Sequence, residues 1–447
     1  MTPDGRYWDP TLETMDPGDR ETVVLAKLRE QVAYCHKASA FYRERWEAAG
    51  FDPDSLATLA DIRRIPLLRK ADLRAEQAAY PPFGRHLCVA RSEVARIHGT
   101  SGTTGRPTAF AISRADWDRI GAAHARILWG TGIRPGDTVF LGSFFGLYLG
   151  GWGALAGAER LGATCFPFGA GVPGQTAQAV EWLAEMRPDA FYSTPSYALR
   201  VAEVARAAGH DPADFGIRVL FFSGEPGAGI PSTKRQIEAA FGGACIDMGS
   251  MAEMTPWMTN AECAERRGMH LWDDIVYTEL LHPETEEPVG PGEVGVPVYT
   301  HLERDSQPMI RLWSGDLSRF TDEPCPCGRT YRRLPDGLFG RADDMLVIRG
   351  ENVYPAAIEE AVRSAGCAGE YRVEVLRIGA LDELLVEVEG PPELGPAVVT
   401  GLKRTLGLRA AVTVVPEGSL PRTEFKSRRI TDRRRLGDEL RSRREGR

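Results

Sequence analysis

The chain reads as an α/β protein, with a large N-terminal domain of mixed and parallel sheets flanked by helices and a smaller α/β domain at its C-terminus. Three observations carry that reading. Helical and buried-strand patterns alternate from about residue 115 onward. A length of 447 residues is more than one core holds and points to two or three domains. A polar turn rich in Gly, Asp and Asn, at 340–355, then separates the alternating region from a compact strand–strand–helix–strand ending. The division falls between 1–340 and 341–447.

The elements follow in order. Residues 21–50 read as two helical segments, with Val23, Leu25, Leu28, Val32 and Tyr34 as the expected apolar face. Val94–Ile97 and Ala109–Ile112 read as strands, and Trp117–Gly130 as a helix. Gly136-Asp137 is a turn before the buried strand Thr138–Leu141. The same rhythm continues through Phe191–Thr194 and Val219–Ser223. Past the polar turn come a helix over 356–365, strands Arg372–Ile378 and Leu384–Glu389, a helix Pro396–Leu406 and a strand Ala411–Val415.

Bulk properties exclude several classes. With 54 basic against 62 acidic residues the net charge is −8, which argues against a nucleic-acid binder. Basic residues from Lys426 to Arg447 are interspersed with acids and read as a solvated terminal helix. The first residues lack the apolar core of a signal peptide, and no apolar run is long enough for a membrane span. Eight cysteines in a chain this long suit a reduced thiol set, so a cytoplasmic protein is expected.

Between the first two strands lies His98-Gly99-Thr100-Ser101-Gly102-Thr103-Thr104-Gly105-Arg106-Pro107-Thr108. Its glycines and hydroxyls offer unobstructed N–H and O–H donors to a polyphosphate, although such runs also serve as linkers. Phe144-Phe145-Gly146-Leu147-Tyr148-Leu149-Gly150-Gly151 interleaves aromatics with glycine. It reads either as core or as an apolar pocket where a flat ligand approaches backbone. Cys263, His270, Cys325 and Cys327 form a donor set suited to a closed tetrahedral zinc site, with Cys245 in reserve. Scattered reduced thiols are the alternative.

The glycine-rich run resembles the phosphate-binding loop of the adenylate-forming enzymes: acyl- and aryl-CoA ligases, adenylation domains and luciferases. Ser101-Gly102-Thr103-Thr104-Gly105-x-Pro-Thr is most similar to the phenylacetate–CoA ligase branch, with Arg106 where lysine is usual. Further motifs resemble that family in order. Ser223-Gly224-Glu225-Pro226 matches a turn bordering the adenine. Asp247-Met248-Gly249-Ser250-Met251-Ala252-Glu253 resembles the segment whose carboxylate helps hold ATP-bound Mg²⁺, with Met248 in place of the adenine-stacking aromatic and Gly249 also beside the acid. Gly315-Asp316 resembles the ribose-binding motif. Gly340 to Pro355 resembles the domain hinge, with Asp343 as pivot and Arg341 reaching the nucleotide. Lys426 matches the mobile adenylation lysine, although Phe425 replaces the usual glycine.

The resemblance implies an aryl-acid–CoA ligase with a mobile C-terminal domain, using ATP, Mg²⁺ and coenzyme A, and a homodimer. Thr100 to Arg106 would take the phosphates, and Phe144, Phe145, Gly146 and Tyr148 an aromatic acid. Two alternatives stay open. One passes the activated group to an amine, a carrier protein or another acceptor. The other is a non-catalytic nucleotide-binding module, which the Met248, Arg106 and Phe425 departures would suit.

Overall fold

The computed structural model describes residues 5–100, 107–170, 172, 174–249, 251–254, 259–342, 344–349, 351–378, 381–422 and 429–434. Ser101 to Arg106, Asp343 and Lys426 therefore lie outside the described residues.

One eight-stranded sheet organises the large part. Its order is Arg333–Leu334, Met269–Leu271, Asn260–Glu262, Ala244–Gly249, Val219–Phe222, Ala190–Ser193, Thr138–Leu141 and Thr164–Phe166. The last five are mutually parallel and the first three pair antiparallel, so the sheet is mixed. The central strands Ala190–Ser193 and Val219–Phe222 are buried at every position, which is why apolar side chains dominate them. Period-two alternation then divides them between two cores. Leu141, Tyr192, Phe221 and Ile246 face the helices Arg114–Gly130 and Leu149–Leu161. Phe140, Phe191, Phe222 and Cys245 face the helices Gln175–Met186, Pro195–Ala207 and Pro231–Phe241.

The helical lead-in differs from expectation in one detail. Pro17–Ala38 begins with Asp16 accepting from the Gly18 N–H, and Ser39 starts the next helix, Ala40–Ala48, by accepting from the Tyr42 N–H. Its buried stripe is Val24, Leu28, Val32 and Cys35, while Val23 and Leu25 are only partly covered. The i, i+4, i+8 row decides the face, and the two outlying valine and leucine side chains flank it.

The C-terminal part has its own sheet, in the order Ala411–Val415, Leu381–Glu389, Tyr371–Ile378, Ile430–Asp432. Helices Pro355–Ser364 and Leu394–Leu406 close a separate core around Val373, Val386, Ile358 and Leu402. No helix among the described residues is long and apolar enough to cross a membrane.

Three histidines are buried deeply enough that the loss of solvent outweighs the interactions that favour their charged form. Burial lowers His86 and His98 from 6.5 to about 4 and His124 to about 3. Each is neutral when folded and takes a proton on unfolding once pH falls below its ordinary value. Stability is therefore expected to drop as pH falls from 6.5 toward 4, by up to about 4 kcal/mol per pH unit for three protons. Urea unfolding across that range measures it. A flat profile would contradict the assignment.

Candidate active site

The glycine-rich run is flanked by two strands that pair antiparallel, Val94–Gly99 against Ala109–Ser113, with Gly99 opposite Ala109. The Thr100 N–H donates to the Thr108 carbonyl at 3.1 Å, and the Thr108 N–H returns to Thr100 Oγ1 at 3.2 Å. These bonds bring the two ends of the run together. Gly99 is required there, since a Cβ would stand 2.8 Å from the Thr108 carbonyl oxygen.

The same hairpin is tied to the aromatic–glycine segment. The Gly99 N–H donates to the Leu147 carbonyl at 3.0 Å, and His98 Nδ1 lies 3.3 Å from that oxygen. His98 stacks on Trp117 and stays uncharged at neutral pH, because burial lowers it to about 4. Leu147 is thus held against the hairpin by bonds that the sequence did not reveal. Phe145 packs edge-on to Trp152 with centroids 5.2 Å apart, while Phe144 is 46% exposed. Phe145 leans on core, and Phe144 stands out from it.

Tyr148 turns its hydroxyl toward Ser223, 3.4 Å away, and Ser223 Oγ is 2.7 Å from the buried Tyr192 hydroxyl. Sequence reasoning missed Tyr192, because these three residues lie far apart in the chain and join only through the sheet. Ser223 and the exposed Gly224 follow the strand Val219–Phe222. Open parallel sheets present ligand turns at this end of their strands. Glu225 accepts the Ser196 N–H at 2.8 Å, at the start of helix Pro195–Ala207.

Met248 is 2% exposed and joins Ile246 and Ala261 in the core. Its side chain packs there because strand alternation sends residues 246 and 248 to the same buried face. Gly249 follows it with no room for a side chain, since a Cβ would meet Asn260 at 2.6 Å. Asp247 points the other way and is pushed up to about 7 by burial and by the charge of Glu262. Glu253, on a short turn after this strand, is buried to 5% exposure with Lys70 Nζ at 3.8 Å from its carboxylate.

Asp316 and Arg341 are directly opposite each other in a two-stranded pair, and Arg341 Nη1 bonds Asp316 Oδ1 at 3.2 Å. Beyond them a cleft of about 910 Å³ opens, lined by Glu225, Pro226, Asp344, Met345, Pro355 and Arg429. Its two sides come from the large and small parts of the chain. They touch where Thr233 Oγ1 donates to Glu359 at 2.8 Å and where Arg422 joins Glu203 at 2.8 Å to Glu389 at 2.7 Å.

The four proposed zinc ligands also come together, while Cys245 packs in the core on one face of the large sheet.

Known proteins match this chain in sequence and in fold. Residues 36–299 match the model of the AMP-binding enzyme family, and 350–434 match that of the AMP-binding enzyme C-terminal domain. The chain belongs to the AMP-binding enzyme family. Phenylacetate-coenzyme A ligase of Thermus thermophilus is 35% identical over 96% of this chain and 100% of its own. A crystal structure of 2-hydroxyisobutyryl-CoA ligase in the postadenylation state is 48% identical, with a TM-score of 0.94, over 100% of this chain and 96% of its own. The same ligase in the thioesterification state, with 2-HIB-AMP and CoA, gives a TM-score of 0.76 at 50% identity, over 99% of this chain and 95% of its own. This AMP-binding enzyme is therefore an AMP-forming acid–CoA ligase. That outcome sets aside both the other acceptors and the non-catalytic module. The difference in TM-score between the two states places the described arrangement nearer the postadenylation one.

Proposed function

We propose that this ligase activates a compact carboxylic acid with a polar group beside its carboxylate, of which 2-hydroxyisobutyrate is the model. The observation that carries the proposal is the hydroxyl set of Tyr148, Ser223 and Tyr192 next to the phosphate-loop hairpin. Such groups hydrogen-bond a substrate hydroxyl, and a site built that way discriminates against an acid lacking it. The 48% identity to 2-hydroxyisobutyryl-CoA ligase supports the same reading. An aromatic acid is the second reading. It is favoured by Phe144, Phe145 and Tyr148 and by the similarity to phenylacetate-coenzyme A ligase.

In the first half-reaction the acid's carboxylate oxygen bonds to the α-phosphorus of ATP and pyrophosphate leaves. In the second, the CoA sulfur bonds to the acyl carbon and AMP leaves. The hydroxyls and N–H groups of Thr100 to Arg106 cradle the phosphates in this proposal. Asp316 accepts from the ribose hydroxyls, with Arg341 holding its carboxylate. Gly224, Glu225, Pro226 and Gly249 border the adenine. A hard divalent ion needs oxygen donors, and the sequestered Glu253 carboxylate fits Mg²⁺ together with the phosphates. Bound there, the ion would neutralise phosphate charge. Lys426 supplies a second cation, on a domain of residues 341–447 that pivots at Asp343.

The test is acyl-CoA formation with 2-hydroxyisobutyrate, phenylacetate and benzoate, with pyrophosphate followed in parallel. The proposal expects kcat/KM for the hydroxy acid to exceed the others by at least about tenfold, the worth of one good polar contact. The reverse order would establish the aromatic class.

A further inference from the structure

Cys263, His270, Cys325 and Cys327 lie in three separate stretches of sequence and meet at one edge of the large sheet. All four are buried, with exposures of 1%, 0%, 5% and 4%. Cys263 Sγ is 3.8 Å from Cys325 Sγ, Cys327 Sγ is 3.4 Å from His270 Nε2, and all four donor atoms lie within 4.8 Å of one another. A tetrahedral ion with Zn–S of about 2.3 Å and Zn–N of about 2.0 Å has S···S edges of about 3.8 Å and S···N edges of about 3.5 Å. A disulfide would need about 2.05 Å between sulfurs. The spacing is that of ligands around a common centre.

We infer that these four residues hold one structural zinc ion, separate from the adenylation chemistry. Three thiolates and an imidazole complete the coordination shell, leaving no position for water or substrate. The loop supports the ligands in the manner of such sites. The Arg329 N–H points at Cys327 Sγ at 3.4 Å, and the Gly328 N–H closes the turn onto the Cys325 carbonyl at 2.9 Å. Gly328 adopts φ +82°, which favours glycine at that corner. His270 is fixed by its strand, Met269–Leu271, which pairs with Arg333–Leu334 just beyond the same turn.

What the ion fastens follows from the neighbours. The Cys325–Arg329 turn also receives the chain's N-terminal segment. Tyr7 donates to the Cys327 carbonyl at 3.0 Å, Arg329 Nε bonds Glu13 at 2.7 Å, and Arg329 Nη2 bonds the Arg6 carbonyl at 3.1 Å. Zinc would cross-link the hairpin carrying Cys263 and His270 to this turn, and through it hold residues 6–13 in place. Its loss would loosen that edge.

The test is metal analysis of the full chain purified without a metal-affinity step from zinc-supplemented culture. The expected result is about one zinc per chain, released by a thiol-specific mercurial. Cobalt substitution should give the visible bands of a tetrahedral thiolate site. Cys325→Ser and Cys327→Ser should lose most of the metal, whereas Cys245→Ser and Cys367→Ser keep it. Chelation under denaturing stress should lower the melting temperature of the wild type. If the ligand variants do not fold, wild-type stoichiometry, mercurial release and the cobalt spectrum decide alone. Wild-type protein without stoichiometric metal overturns the inference, whether all thiols titrate or a pair is missing as a disulfide.

Discussion

Replacing Lys426 with alanine is expected to lower pyrophosphate release from ATP and acid by about a thousandfold. Conversion of a supplied acyl-adenylate and CoA to acyl-CoA should stay within about threefold of wild type. The reason is where charge develops. As the carboxylate approaches the α-phosphorus, negative charge spreads over the transferring phosphate and the departing pyrophosphate, and a positioned cation stabilises it most in the transition state. The second half-reaction expels AMP from an acyl carbon and has no such need. Lys426→Arg should restore little, because a planar guanidinium does not reproduce a compact ammonium at one phosphate oxygen. Equal loss in both half-reactions would remove the role assigned to this lysine and point instead to damage in the C-terminal domain.

The sequence was most informative where a local pattern is also a global one. Val219–Phe222 lies in the sheet interior and is apolar throughout, so its burial on both faces was visible in four letters. The glycine-rich run was visible because its ends are strands and its composition is unlike its flanks. What stayed hidden depends on contacts between distant residues. Nothing local ties Gly99 and His98 to Leu147, yet their bonds set the aromatic–glycine segment against the hairpin Val94–Ser113. Tyr192 looked like one more buried strand residue, and only the sheet order brings its hydroxyl to Ser223. Met248 shows a related limit. The family pattern says only which position it holds, whereas strand alternation and the sheet order put its side chain against Ile246 and Ala261.

Asp316 offers the second large effect. A carboxylate accepts from both hydroxyls of a cis-diol, and hydrogen bonds to a charged group are worth about 1.5–3 kcal/mol each. Asp316→Ala is therefore expected to lower kcat/KM for ATP by at least about a hundredfold, with most of the change in KM. Stability should change little, since the residue is only partly buried and stands in a short two-stranded pair. Arg341 bonds Asp316 at 3.2 Å and fixes the orientation of the carboxylate. Arg341→Ala should then cost less, about tenfold, because the acceptor remains but is no longer held. The decisive comparison uses 2′-deoxyATP. Wild-type enzyme should prefer ATP over the deoxynucleotide by about tenfold, the value of one such bond. In Asp316→Ala that preference should vanish, since the missing hydroxyl no longer has a partner to lose. A variant that is weakened yet still prefers ATP would mean that another group reads the ribose, and that Asp316 serves mainly to anchor Arg341.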